Sequence, residues 1–274
     1  MMTKNPLISI ILPTYNGKKE RLKESVDSVL NQTFKDFELI IINDASTNDI
    51  EGTILEYTKK DDRIVYIKNE KNLKLTKTLN KWISLANGKY IARIDDDDIW
   101  EDEQKLEKQI KFLEENNDYW IIWTNWIIID QDWNELYKLI RPSSNDEIKK
   151  KIIIGNWFIH SSILIRKTTL DEVWWFYNPE WNFVEDYELW LRIWKASKMK
   201  IISDSYIKYR QNIKSVSNSN YRKQKWLALK LFFKYYKFYP KKYFIRALIF
   251  HIWEWLVPYS ITSTILRLMK NINI

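Results

Sequence analysis

Tyr90-Ile91-Ala92-Arg93-Ile94-Asp95-Asp96-Asp97-Asp98 is an apolar run of strand length that ends in four consecutive carboxylates. Like charges this close raise one another's pKa or push the chain apart, so they do not pack together inside a fold uncompensated. A strand that ends this way either faces water as a solvated acidic turn or holds a cation. Oxygen-only ligands suit hard divalent ions such as Mg²⁺ or Mn²⁺, which take one or two carboxylates and fill the remaining positions from substrate phosphates and water.

The residues before this stretch supply its context. Leu7–Leu12 is a short β-branched run stopped by Pro13 and reads as a buried strand. Thr14-Tyr15-Asn16-Gly17 is a loop, and Lys18–Asn31 has helical spacing with Leu22, Val26, Val29 and Leu30 on one face. Phe37–Ile42 reads as a second strand and runs into the polar Asn43–Asp49. A helix near Ile50–Lys59, a strand at Arg63–Lys68 and a helix at Thr76–Ala86 lead to the aspartates. This alternation predicts an α/β fold with a mostly parallel central sheet flanked by helices. Ligands of such sheets bind beyond the carboxyl ends of the strands. Tyr15-Asn16, Asp44 and Asp95–Asp98 all fall at such ends and are expected to converge.

At these residues the chain resembles the family 2 glycosyltransferases, inverting enzymes of the GT-A fold that use nucleotide-diphospho-sugars. The resemblance spans residues 7–210 and rests on an ordered set of motifs. These are Ser9-Ile-Ile-Leu-Pro-Thr-Tyr-Asn16, Ser28-Val-Leu-Asn-Gln-Thr-Phe34, Ile42-Asn-Asp-Ala-Ser-Thr47, Asn87–Asp98 and Val184-Glu-Asp-Tyr-Glu-Leu-Trp-Leu-Arg192. It implies that Thr14, Tyr15 and Asn16 line a nucleotide pocket with Tyr15 against the base. Asp44 would accept a hydrogen bond from the base, often uracil in this family. Asp95 and Asp97 match the ends of the family's Asp-x-Asp motif. Asp97 would hold Mg²⁺ or Mn²⁺, and Asp95 would touch the ribose or the metal shell. Asp96 stands where a small residue is common, so the division of nucleotide and metal contacts among the three stays open.

Glu185-Asp186 matches the family's acidic pair near the acceptor. The resemblance makes Asp186 the general base, with Glu185 as its supporting neighbour. The alternative is that the pair caps a helix over Tyr187–Ala196, since acids favour helix N-termini. His160, in Asn156–Ser162, falls near the acceptor pocket as a weaker contact.

The function expected is metal-dependent, inverting transfer of a sugar from a nucleotide-diphospho-sugar, UDP-sugars first among them. The acceptor would be a hydroxyl of a cell-envelope polysaccharide or glycolipid at the inner membrane face. A nucleotidyltransferase is one rival, but it calls for a glycine- and lysine-rich loop where Pro13-Thr-Tyr-Asn16 stands. A non-catalytic nucleotide-sugar-binding protein is another, and intact Asp44, Asp95, Asp97 and Asp186 argue against it. No Ser-His-Asp arrangement, Walker-type loop or dinucleotide fingerprint is visible. With no cysteine and two histidines, a structural zinc site and disulfides are not expected. No apolar leader is visible, which together with the cysteine count suggests the cytoplasm.

Charge divides the chain into a catalytic domain over 1–215 and a helical appendage over 216–274. From Ser205 onward there are fourteen Lys/Arg against one acid, Glu254, so the overall +8 belongs to the tail. Basic helices interleaved with Trp, Phe and Leu suit an anionic membrane surface. The alternative is that they cover the catalytic domain with their lysines on the wet side. Ile245–Leu266 is long enough to span a bilayer, but Arg246, His251, Glu254 and Pro258 interrupt it. No nucleic-acid module accompanies the basic residues, and no nucleic-acid partner is expected.

Glycine and tryptophan are present in unusual proportion. There are 4 glycines and 15 tryptophans, where ordinary usage would give about 19 glycines. Several tryptophans stand where glycine or a small residue is expected: Trp133 in a hairpin turn, Trp174-Trp175 after a helix, and Trp82, Trp123 and Trp126. Trp120, Trp157, Trp181 and Trp194 belong to the same set. The pattern is what results when UGA codons that encode glycine in the source, as in some bacterial lineages, are translated as tryptophan. Trp190 matches an aromatic position of the family and is read as genuine. The alternative is an aromatic-rich protein, or a sugar site lined by indole faces.

Overall fold

The computed structural model describes residues 5–173, 177–211, 220–239, 241–257 and 261, apart from the side chain of Lys242. Trp174, Trp175 and, in the tail, residues 258–260 and 262–274 lie outside the described residues. The first half alternates as β1 (Ile8–Thr14), α1 (Lys19–Leu30), β2 (Phe37–Asn43), α2 (Glu51–Thr58), β3 (Ile64–Lys68), α3 (Leu75–Ile83) and β4 (Tyr90–Arg93). Then come α4 (Lys105–Glu115), β5 (Tyr119–Ile129), β6 (Glu135–Leu139), α5 (Asn145–Lys151), β7 (Leu164–Arg166), α6 (Lys167–Glu172), α7 (Glu185–Ala196) and β8 (Lys198–Arg210). Two further helices, α8 (Tyr221–Tyr235) and α9 (Phe244–Leu256), follow.

The strands form one eight-stranded sheet in the order β3-β2-β1-β4-β7-β5-β6, with β8 also paired to β5. β1 runs parallel to both β2 and β4, β2 to β3, and β5 to β8, whereas β7 is antiparallel to β4 and β5. Every residue of β1 and β2 is buried, as expected of parallel strands covered on both faces. On β1, Ile8, Ile10 and Leu12 point into a core shared with Leu22 and Val26 of α1 and Leu106 of α4. Ile11 points the other way, toward Leu79 of α3 and Trp190 of α7.

Gly88 shows why one of the few glycines stands where it does. A Cβ there would lie 2.4 Å from the Ser9 backbone nitrogen, so no larger residue fits where β4 enters beside β1. Gly88 N–H donates to Ser9 Oγ at 2.8 Å, and Ser9 Oγ donates to Glu38 at 2.5 Å. These bonds fix the level at which β4 ends, and hence where the aspartates emerge.

The last two helices pack along one side of the α/β core. Leu231 and Phe232 of α8 and Ala247 of α9 are buried in the core that contains α7. Glu188 of α7 accepts from Tyr235 at 2.8 Å and pairs with Lys234 at 3.1 Å and Arg192 at 2.8 Å. His251 donates to the Ile153 carbonyl at 2.8 Å. Among the described residues no helix is long and apolar enough to cross a membrane.

The tryptophans divide in their surroundings. Trp133 has φ of 72°, the left-handed region that favours glycine, in the β5–β6 turn. The indole N–H groups of Trp123, Trp181 and Trp194 are buried without a hydrogen-bond partner. Trp190 shares that feature, so an orphaned indole does not by itself separate the two classes. Trp82 bonds Asn69 at 3.2 Å.

Candidate active site

The carboxyl ends of β1, β2 and β4 meet, and three loops leave them together. Thr14 ends β1, and its backbone carbonyl accepts from Asp44 N–H at 2.9 Å, which joins the first two loops at their base. Asn16 has φ of 54° and Ala45 has φ of 61°, so both loops turn sharply as they leave the sheet. Asn16 N–H donates to Ser46 Oγ at 2.9 Å, and Asn16 Oδ1 accepts from Thr47 N–H at 2.7 Å. Tyr15 stands half exposed, with the Lys74 ammonium 5.9 Å from its ring centre. Asp44 is buried and accepts from Asn69 at 2.7 Å, Leu73 N–H at 3.0 Å and Lys74 N–H at 3.1 Å. Tyr15, Asp44 and the 72–74 loop are thus brought together, with Asn16 braced beside them.

The four aspartates part company. Asp95 Oδ1 lies 2.5 Å from the Arg93 guanidinium, and its backbone N–H donates to Ser161 Oγ at 3.0 Å. Asp96 turns back toward β1, where Thr14 Oγ1 donates to it. A Cβ on Gly17 would sit 2.2 Å from Asp96 Oδ2, so glycine makes room for that carboxylate. Asp97 faces Arg21 of α1 at 3.9 Å. Asp98 is buried, accepts from Ser161 Oγ at 2.5 Å and receives the Arg210 N–H at 3.3 Å. It serves as an internal strut joining the loop to the end of β8.

Electrostatics follow from this crowding. Burial first, and the Asp97 charge second, push Asp96 up to about 7. Burial and Asp95 push Asp97 up to about 6, with Arg21 and Arg210 pulling against the shift. Asp95 and Asp97 stay about one-third exposed at their side chains. Among the described residues no three His, Cys, Asp or Glu side chains converge as a closed metal cage. Two half-open carboxylates that repel each other fit Mg²⁺ or Mn²⁺ shared with a diphosphate, which needs only one or two protein ligands.

The acidic pair opens α7 from within the helix. Val184 is the N-cap and offers no side-chain bond, so Glu185 and Asp186 are the first two helical residues. Asp186 accepts from Asn156 Nδ2 at 2.8 Å and from Tyr187 N–H at 2.6 Å, and it is partly exposed. Glu185 is buried, and its Oε2 has no hydrogen-bond partner among the described residues. Burial, then Asp186, push Glu185 up to about 7. Burial also raises Asp186, while Asn156, the Tyr187 N–H and Arg93 draw it back.

Two placements were not evident from the sequence. Arg93, the last residue of β4, is almost fully buried and acts electrostatically on Asp95, Tyr177, Glu185 and Asp186 at once. Burial alone would lower its pKa, but these groups hold it above the ordinary value. His160 is buried, with Nε2 2.5 Å from Tyr177 Oη and its ring edge-on to Trp190. Burial, then Arg93, keep its pKa well below the usual value. It stands as a neutral ring in the wall beside Arg93.

Comparison with known proteins shows the family and the fold. The family model "Glycosyl transferase family 2" matches residues 9–174. An uncharacterized glycosyltransferase of Methanocaldococcus jannaschii is 38% identical over 224 residues, 80% of this chain and 76% of the relative. The Escherichia coli UDP-Glc:alpha-D-GlcNAc-diphosphoundecaprenol beta-1,3-glucosyltransferase WfgD is 32% identical over 230 residues, 81% of this chain and 85% of the relative. Among solved structures, S. aureus TarS 1-349 in complex with UDP-GlcNAc has a TM-score of 0.69 at 18% identity, covering 90% of this chain and 72% of that one. That likeness shows the fold, an α/β GT-A type domain. With most of its length matched at this level, the chain belongs to glycosyl transferase family 2 and is a glycosyltransferase.

Proposed function

We propose that this glycosyltransferase is metal-dependent and inverting, and that it moves a sugar from a nucleotide-diphospho-sugar to a hydroxyl acceptor. The observation that carries the reading is the pairing of two half-open sites. Asp95 and Asp97 follow β4, which pairs with β1, the strand that leads to Tyr15; Asp186 is partly exposed at the start of α7, and Arg93 acts on Asp95 and Asp186 together.

In the proposed step, Tyr15 covers the base and Asp44 accepts a hydrogen bond from it in exchange for one of its loop contacts. Asp97 and Asp95 would hold the divalent cation, which when bound offsets the charge gathering on the leaving diphosphate. Arg21, at 3.9 Å from Asp97, adds a fixed positive charge on the same side. The acceptor hydroxyl donates to the Asp186 carboxylate and attacks the anomeric carbon from the face opposite the diphosphate. The new C–O bond forms as the old one breaks, the nucleoside diphosphate leaves with the electron pair, and the proton passes to Asp186. Asn156 holds the Asp186 carboxylate in place for this transfer.

Donor and acceptor classes are drawn from similarity. WfgD is named for UDP-Glc and a diphosphoundecaprenol acceptor, and TarS was solved with UDP-GlcNAc. A UDP-sugar donor and a cell-envelope glycan or glycolipid acceptor at the cytoplasmic face of the membrane follow by analogy. A thermal-shift panel of UDP, GDP and CDP, each with and without Mn²⁺, tests the donor site. Stabilisation by UDP that requires Mn²⁺ supports the reading, and no shift with any of the three contradicts it.

A further inference from the structure

From the outer face of the tail helices, we infer that α9, with Trp226 of α8, forms a docking surface for an anionic lipid bilayer. Ile245, Ile249, Ile252 and Leu256 recur at helical spacing along α9, and all four are exposed, Ile245 at 68% and Leu256 at 62%. Trp255 extends the stripe, and Trp226 leans against it with ring centres 5.4 Å apart. The opposite face of α9 is used up: Ala247, His251 and Glu254 are buried against α8 and the catalytic domain. A single aliphatic side chain on a surface is ordinary, but a continuous apolar ridge is the mark of an interaction face.

Charge selects the occupant. Lys230 lies 5.4 Å from the Trp226 ring centre, and Lys241 and Arg246 are exposed around the first turn of α9. Glu254 is the only acid from Asn220 to Val257, and it is buried and paired with Lys225 at 2.5 Å. The ridge is therefore apolar at its centre and flanked by cations, and among the described residues of α8 and α9 no acid is exposed. Residues 258–274 contain Arg267 and Lys270 and neither Asp nor Glu, so laying them over the ridge would add to the positive charge. A second copy would bring the same cations face to face. An anionic headgroup layer over an acyl interior satisfies both parts of the surface at once.

The use of this face rests on the lipid-linked acceptor proposed above, because docking would hold the active site beside a substrate confined to the bilayer. The two fail separately. Vesicle binding reads the face without turnover, and the UDP thermal shift reads the donor site without a membrane.

The test is flotation of the full chain with vesicles of equal parts phosphatidylglycerol and phosphatidylcholine, beside phosphatidylcholine alone. Binding to the anionic vesicles only, weakened several-fold by high salt, is expected. Ile245→Asp with Ile249→Asp should cut that binding about tenfold or more while leaving the melting temperature and the UDP shift unchanged. Binding that ignores the double variant overturns the inference. So does no binding to either vesicle. A lower melting temperature in the free variant would instead assign the ridge to residues 258–274. A wild-type dimer dissociated by the variant would assign it to a second copy.

Discussion

The Arg93 guanidinium lies 2.5 Å from Asp95 Oδ1 at the point where β4 gives way to the aspartate loop. Arg93 is nearly sealed from solvent, and its Nε has no hydrogen-bond partner among the described residues. The same charge acts on Glu185 and Asp186, which enter from α7 some ninety residues later. One buried cation thus balances Asp95 at the end of β4 and the Glu185–Asp186 pair of α7, which under the proposed mechanism would link the base to the donor side.

Replacing Arg93 should therefore disturb both halves. Arg93→Met would remove the ion-pair partner of Asp95 and the positive charge that acts on Glu185 and Asp186, and should lower the melting temperature. Arg93→Lys keeps the charge but lacks the planar fork, so it should fold and lose about ten- to a hundredfold in transfer rate. The more specific sign is in the pH–rate profile. In Arg93→Met, with that positive charge gone, Asp186 should protonate more easily, and the acid limb of the profile should move to higher pH. An unmoved limb would reduce Arg93 to a packing role.

Glu185 makes a prediction about stability. Its folded pKa of about 7 exceeds its ordinary value of 4.5. The native state therefore binds the proton more tightly than the unfolded chain, and stability falls as pH rises between those values. At about 1.4 kcal/mol per pKa unit the penalty at pH 8 is on the order of 3 kcal/mol. Glu185→Gln should raise the melting temperature at pH 8 and change little near pH 4. Urea melts of both proteins at the two pH values check this, and equal changes at both would contradict it.

Trp133 carries the expectation about glycine. A bulky residue at φ of 72° bears backbone strain of about 1 kcal/mol or more, partly offset by the Arg210 guanidinium 4.1 Å from its ring centre. Trp133→Gly should leave the melting temperature equal or higher. If the natural gene encodes glycine through UGA, peptide mass spectrometry of the native protein will find glycine at 133, and tryptophan there would end that idea.

Much of the first half of the fold was legible in the sequence, because strands buried on both faces, such as Leu7–Leu12 and Phe37–Ile42, read as unbroken apolar runs. Their ends located Tyr15, Asp44 and the aspartates without further information. The parallel pairing of β5 with β8 was not legible: Tyr119–Ile129 and Lys198–Arg210 lie some eighty residues apart, and their register shifts at irregularities that no local pattern announces. Nor does a run of four identical residues reveal which side chain turns inward. Asp98 became a strut only because Ser161 and Arg210 meet it from distant segments. Arg93 was hidden in the same way, since a charged residue within an apolar strand shows its purpose only when its partners arrive from α7.

The most direct test compares wild type, Asp186→Asn and Asp97→Asn for UDP binding by calorimetry with Mn²⁺, and for UDP release from UDP-glucose and UDP-GlcNAc. Asp186→Asn should bind UDP as wild type does while its UDP release falls by about a hundredfold or more. Asp97→Asn should lose Mn²⁺-dependent binding and turnover together. Wild-type turnover by Asp186→Asn, or undiminished Mn²⁺-dependent binding by Asp97→Asn, would contradict the roles assigned to these two carboxylates.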